Sequence, residues 1–202
     1  VAMGMQGSCI SNVDVGSATL KLGEDGTYNL IIGAADMGTG CDTILAQMVA
    51  ELMDFDVDDV AVFGAHTNVS PYDSGSYASS TTYITGQAVV KACNALKKQI
   101  CSIAADMMNC EEMEVEFASN CVRRTGTEQS VSLTDIAYKA QVNSTTPAET
   151  TQTHTSPVSP PPYMVGMVEI ELDKLTGKVD IIDYMAVVDC GIPINPNLAR
   201  IQ

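Results

Sequence analysis

Hydrophobic and polar positions alternate along residues 17–22 (SATLKL) and 27–32 (TYNLII), and GEDG between them supplies turn residues. Alternation of period two on both sides of a glycine-containing turn predicts a β-hairpin. The period then changes. From Asp42 to about Phe55, the residues Ile44, Leu45, Met48, Val49, Leu52 and Met53 recur at helical spacing, leaving Asp42, Gln47, Glu51 and Asp54 for the other faces. This predicts a helix capped by Asp42 or Thr43. Residues 56–65 (DVDDVAVFGA) read as a turn and a short strand. A long helix is predicted from about Ser79 to Met108, with Ala88, Val89, Ala92, Leu96, Ile100 and Ile103 in one stripe and Lys91, Lys97 and Lys98 outside it. Gly86 lies within that helix at a cost of ~1 kcal/mol relative to alanine, so close packing against a neighbouring helix or a ligand is expected there.

Residues 113–124 (MEVEFASNCVRR) alternate around a Ser119-Asn120 turn and predict a second hairpin. Residues 130–141 (SVSLTDIAYKAQ) predict a short helix with Ser132 as its cap. Residues 143–162 are rich in Thr, Pro and Ser with almost no apolar content, and predict a flexible, extended connection. Two long strands around a DKLTGK turn follow over residues 162–191. Antiparallel hairpins packed with two main helices make an α+β fold, with residues 1–202 as one unit and no internal repeat.

Composition narrows the function classes. With 10 Lys+Arg against 25 Asp+Glu the formal charge is −15, which repels phosphate backbones and anionic lipid, so neither nucleic acid nor a membrane surface is an expected partner. No apolar run approaches the ~20 residues that span a bilayer, and the first residues lack the pattern of a signal peptide, so a cytoplasmic protein is expected. The chain opens on Val1 and is read as a piece of a longer polypeptide. Its seven cysteines are widely spaced with no CxxC pair, so zinc or iron–sulfur ligation is not expected and free core thiols are. His66 and His154 are read as solvated, Glu51 as exposed, and Glu111, Glu112, Glu114 and Glu116 as a solvated acidic face.

The candidate chemistry lies in two loops. GAADMGTGCDT, from Gly33, opens the first helix, and SPYDSGSYASSTTYITGQAV, from Ser70, opens the second. The first is neither of two familiar phosphate loops: Cys41-Asp42 stands where a P-loop needs Lys-Ser/Thr, and Thr43 where a dinucleotide fingerprint needs a third small residue. No βαβ unit is evident. The second loop carries ten Ser, Thr or Gly residues between Ser70 and Gly86. Small residues at a helix start let a ligand approach the backbone, and unpaired N–H groups there favour an anion.

These stretches, followed by GMVEIELDKLTGKVDIIDYMAVVDCGIPINPNLARIQ in the same order, resemble the molybdopterin-binding region of the xanthine dehydrogenase/aldehyde oxidase family. The resemblance runs from about Gly16 to Gln202. It implies a molybdenum–molybdopterin cofactor, with or without an appended nucleotide, and hydroxylation of a small substrate with water as oxygen source. It further implies purine or N-heterocycle substrates and iron–sulfur and FAD subunits or domains as partners. On the family's pattern, Gly38, Thr39 and Gly40 form the glycine loop that meets the pterin. Ser76, Tyr77, Ala78, Ser79 and Thr81 form the loop that contacts pterin and phosphate, and Gln202 also reaches the cofactor. Thr39 stands where the family commonly has glutamine, and Tyr77 where it has a small residue. The family's glutamate base lies beyond Gln202, so no catalytic residue is assigned within the chain, and the piece alone is expected to be inert and without cofactor. Thr39 and Tyr77 keep open a second class, a non-catalytic homologue that handles the cofactor or acts as a scaffold. A phosphate-binding domain unrelated to molybdenum is a third. Apolar faces left uncovered by the rest of the protein would allow homo-oligomers.

Overall fold

The computed structural model describes residues 1–142 and 147–202. After a short strand β1 (Ala2–Met5), the predicted hairpin forms as β2 (Gly16–Leu22) and β3 (Tyr28–Ile32), with Leu20 opposite Leu30. Its alternation puts Ala18, Leu20, Leu22, Tyr28, Leu30 and Ile32 in one buried layer. Helix α1 (Cys41–Met53) follows, then β4 (Val60–Gly64), which pairs with β3 in parallel. A βαβ crossover is therefore present where the sequence showed none. Its second strand is an edge strand with Ala61 and Phe63 exposed, so only five residues, with just Val60 and Val62 apolar and turned inward, announce it.

Helix α2 (Thr81–Met108) carries the predicted stripe: Ala88, Val89, Ala92, Leu96 and Ile100 are fully buried. Burying a side chain such as Leu96 contributes roughly 1.5–3 kcal/mol. Gly86 is where α1 and α2 meet; a Cβ there would lie 2.9 Å from Met48 Cε and 3.1 Å from its sulfur. The neighbour that Gly86 accommodates is a helix. The second hairpin appears as β5 (Val115–Ala118) and β6 (Cys121–Arg124), and β7 (Ser130–Ser132) adds a third antiparallel strand. Helix α3 (Leu133–Val142) begins with the expected cap, the Asp135 N–H donating to Ser132 Oγ at 3.1 Å.

The Thr/Pro/Ser-rich stretch is not all connection. Residues 143–146 lie outside the described residues, but Glu149–His154 form β8, antiparallel to β2. Hydroxyl pairs replace apolar alternation: Ser17 Oγ lies 2.9 Å from Thr153 Oγ1, and Thr19 Oγ1 lies 2.7 Å from Thr151 Oγ1. Strands β9 (Tyr163–Leu172) and β10 (Val179–Asp189) form the expected long pair, and β1 lines the other side of β9. Every residue of β10 is exposed. A short helix α4 (Pro196–Ile201) closes the chain, with Asn195 Oδ1 accepting from the N–H groups of Asn197 and Leu198.

The central sheet has the order β4-β3-β2-β8, and its buried layer packs against α1 and α2. Directions fix where the loops fall. β3 and β4 run parallel and end together, β2 starts at that end, and β8 finishes there with His154 opposite Gly16. The loops of residues 33–40 and 65–80 therefore leave the sheet at the same end.

Candidate functional site

The two loops touch at their roots. A Cβ on Gly33 would lie 2.4 Å from the Pro71 carbonyl oxygen and 2.6 Å from Asp73 Cβ, so only glycine fits. Beyond it, Gly38 and Gly40 take left-handed backbones at φ 92° and 73°. Asp36 Oδ1 accepts the N–H groups of both, at 2.8 Å from Gly38 and 3.2 Å from Gly40. Those bonds hold the Asp36 carboxyl below its ordinary pKa. Helix α1 starts at Gly40 with no side-chain cap, so the expected caps, Asp42 and Thr43, lie inside its first turn. The loop's amides are thus partly occupied by a carboxylate of the chain itself, against the expectation that they stand free. Leu198 of α4 packs on Gly40, 2.6 Å from where its Cβ would be, and Asn195 Nδ2 donates to Gln47 Oε1 at 3.2 Å. Gln202, exposed, follows α4 directly, its N–H donating to the Leu198 carbonyl at 3.0 Å. Gly38–Gly40 and the segment bearing Gln202 are brought together through Leu198.

The second loop is braced differently. Asp73 accepts from the Gly75 N–H at 2.8 Å and from Thr85 Oγ1 at 2.9 Å, while Ser74 Oγ accepts from the Val15 N–H at 2.9 Å. Ser76 and Thr81 share a hydrogen bond between their hydroxyls. Ser79 is left-handed at φ 55°, a strained backbone for serine, and its hydroxyl accepts from Gln6 Nε2 at 3.3 Å. Tyr77 is 73% exposed and its ring lies beside Gly75, whereas Ala78 is half-buried. Helix α2 has no side-chain cap; its first helical bond is the Ile84 N–H to the Ser80 carbonyl. The N–H groups of Thr81, Thr82 and Tyr83 have no acceptor among the described residues. Unpaired amides, the positive end of a 28-residue helix and flanking hydroxyls suit an anionic group rich in hydrogen-bonding atoms. The residues present fit the phosphate-bearing pterin that the family resemblance implies.

Two features near this end escaped the sequence pattern. His154 is not in a solvated loop: it ends β8 edge-on to Tyr83, ring centroids 6.2 Å apart, and neither ring nitrogen has a partner. Burial lowers its pKa, aided by Lys91. Asp36, Cys41 and Asp42 bring three donor atoms within 4.8 Å of one another. Burial first, then the two carboxylates, pushes the Cys41 thiol up to about 12, so it stays protonated, and Asp36 is engaged with the loop amides. The trio is read as helix-start packing. His66 and Glu51 are exposed as expected. Glu111, Glu112 and Glu116 are exposed too, and Glu114 pairs with Arg124 at 2.9 Å. All seven cysteines are free, but only Cys9, Cys41 and Cys93 are buried; Cys101, Cys110 and Cys121 are half-buried and Cys190 is exposed, against the expectation of core thiols throughout. No helix among the described residues is long and apolar enough to cross a membrane.

Known proteins resemble this chain over most of its length. A probable hypoxanthine oxidase of Escherichia coli K12 is 34% identical over 200 residues, covering 98% of this chain and 21% of its own. The xanthine dehydrogenase molybdenum-binding subunit of Escherichia coli O157:H7 is 33% identical over 202 residues, covering 94% of this chain and 26% of its own. The chain thus spans about a fifth to a quarter of the length of these relatives. CO dehydrogenase from Oligotropha carboxidovorans shares the fold, with a TM-score of 0.81 at 23% identity over 98% of this chain and 26% of that one. Residues 1–202 match the molybdopterin cofactor-binding domain family throughout, and the chain belongs to that family.

Proposed function

We propose that this chain forms part of the cofactor-binding subunit of a xanthine dehydrogenase-like molybdenum hydroxylase that oxidises purines or other N-heterocycles with water as oxygen source. The observation that carries the reading is the open first turn of α2, ringed by serine and threonine hydroxyls at the loop end of the sheet, in a chain that the family matches throughout. Ser76, Ser79, Thr81 and the first-turn amides would hold the anionic part of the cofactor. Gly38, Thr39 and Gly40 would lie against the pterin, with Tyr77, Ala78 and Gln202 at its border. Bound there, a molybdenum cofactor supplies a Lewis-acidic, two-electron redox centre. The chain's own residues bind and orient: hydroxyls and amides donate, and left-handed glycines keep side chains out of the approach. Purines are favoured as substrates because both curated relatives described above carry hypoxanthine or xanthine in their names. Iron–sulfur and FAD subunits would take the electrons, in the cytoplasm.

The test is molybdenum and pterin content of the full-length protein, co-expressed with its neighbouring subunits and purified anaerobically. Near-stoichiometric molybdenum, followed by turnover of purines in preference to aldehydes, is the expected outcome. A well-folded complex devoid of molybdenum sinks the reading. A cofactor-handling homologue is the second reading, motivated by Thr39 and Tyr77. Molybdenum bound with no turnover, and no glutamate in a Gly-Glu context beyond Gln202, would favour it.

A further inference from the structure

Two exposed residues 73 apart in sequence meet at the second loop, Gln6 Nε2 donating to Ser79 Oγ at 3.3 Å. Neither end of that bond is a free-swinging group. Gln6 is anchored by its own N–H to the Pro162 carbonyl at 3.4 Å, directly after β1 pairs with β9. Three residues on, Cys9 is held by Ser159, which donates to the Cys9 carbonyl at 2.8 Å. Gly7 between them fits only without a side chain, because a Cβ would lie 2.3 Å from Ser159 Oγ. Ser79 is fixed by its left-handed backbone at φ 55°, which serine adopts only where its surroundings impose it.

A hydroxyl has one proton to give and two lone pairs to fill. Gln6 fills a lone pair on Ser79, and the hydroxyl's own proton has no acceptor among the described residues. That proton is left to donate, two residues before the open amide of Thr81 at the start of α2. We infer that Gln6 is a positioning residue, which rests on the function proposed above: its amide sets the Ser79 hydroxyl as a donor toward the phosphate of the cofactor. The carboxamide matters here, since it can donate to Ser79. A carboxylate of the same length could only accept; it would turn the Ser79 proton inward and place a negative charge beside the phosphate.

The test uses the full-length protein with its subunits, as wild type, Gln6→Met, Gln6→Glu, Ser79→Ala and the Gln6→Met/Ser79→Ala double variant. Molybdenum and pterin per protein, and the half-time of cofactor loss on dilution, are the readouts. Ser79→Ala and Gln6→Glu are each expected to shorten retention about tenfold, and Gln6→Met about threefold, as befits hydrogen bonds to a charged group. In the Ser79→Ala background, Gln6→Met should add less than about twofold, because its effect passes through the missing hydroxyl. Both positions are exposed, so thermal midpoints should stay within about 2 °C of wild type. Retention unchanged in Gln6→Met, or losses that multiply independently in the double variant, would overturn the inference while leaving the proposed function standing. Wild-type protein without molybdenum would instead overturn the function, and it shows before any variant is made.

Discussion

Tyr28 is fully buried on β3, its ring edge-on to Phe55 at 5.2 Å, and its hydroxyl has no hydrogen-bond partner. Burial raises its pKa, with the Cys93 thiol adding to the effect. A buried hydroxyl left unpaired costs about 1–3 kcal/mol relative to its hydrated state. Tyr28→Phe removes that cost and keeps the ring, its edge contact with Phe55 and nearly all the buried area. The lost oxygen leaves a void too small to offset much of the gain, so the net expectation is stabilisation by about 1–2 kcal/mol. For a chain of this size that corresponds to a rise of about 2–8 °C in the thermal midpoint. Thermal and urea unfolding followed by far-UV circular dichroism measures it, with an unchanged urea slope confirming the same native surface. The substitution also carries a pH signature. A phenol whose pKa is raised on folding stabilises the protein fully below its unfolded value near 10 and loses that contribution as pH climbs toward the folded value. Wild type should therefore lose more stability above about pH 10 than the phenylalanine variant. A variant less stable than wild type by more than about 0.5 kcal/mol would refute the reasoning, since it would mean the hydroxyl has a partner.

Other expectations follow from single contacts. Gly33→Ala would press a Cβ onto the Pro71 carbonyl and Asp73, backbone and rigid loop that cannot yield, and should cost at least about 2 kcal/mol in urea unfolding; a neutral result would separate the two loops. Gly86→Ala meets only the flexible end of Met48, so the helix-propensity gain of ~1 kcal/mol and the crowding should nearly cancel, whereas Gly86→Val should destabilise by about 1–3 kcal/mol in the same assay. Burial raises the Cys93 thiol to about 12 from an ordinary 9.0, so stability should fall as pH rises from 9 toward 12, and Cys93→Ala should flatten that stretch of the profile. The ribbon of β9 and β10 exposes Val168, Ile170, Ile181, Tyr184 and Val187, so this chain alone should self-associate. Light scattering should show Ile181→Lys with Val187→Lys restoring a monomer, and a monomeric wild type at high concentration would contradict the idea.

What could be read from the chain tracks where apolar residues repeat. β2, β3, α1 and α2 each bury one continuous stripe, and that stripe is written in the spacing of Leu20, Leu30, Leu45 and Leu96. β8 carries no such stripe. Its Thr150 and Gln152 face inward, and Thr151 and Thr153 are held by the hydroxyls of Thr19 and Ser17 across the sheet, a pairing invisible until β2 is beside it. The parallel pairing of β3 with β4 was hidden for a related reason: pairing direction is a long-range property, and five residues ending in a glycine do not encode it. Within the site, the residue types were legible and their partners were not. Nothing local in ADMGTG says that Asp36 folds back on the amides of Gly38 and Gly40, or that Gln6 reaches Ser79.

Those partners make the two helix starts unequal. Both lie at one end of the sheet and both present the positive end of a helix, so dipole alone would draw an anion to either. At α1, however, Asp36 already accepts the loop amides, and Asp42 adds a second carboxylate in the first turn. An incoming phosphate would meet two negative charges, with the loop amides of Gly38 and Gly40 already satisfied. At α2 the only carboxylate bonded within the loop, Asp73, is turned back on Gly75 and Thr85, and the first-turn amides are open beside hydroxyls that can donate. On the proposed function, charge would therefore sort the ligand's orientation, with its anionic end at Ser79–Thr81. Its neutral, donor-bearing ring would then lie against Gly38–Gly40, whose amides Asp36 accepts. A single polar ligand spanning both loops would be held in one direction, because reversing it would set its phosphate against Asp36.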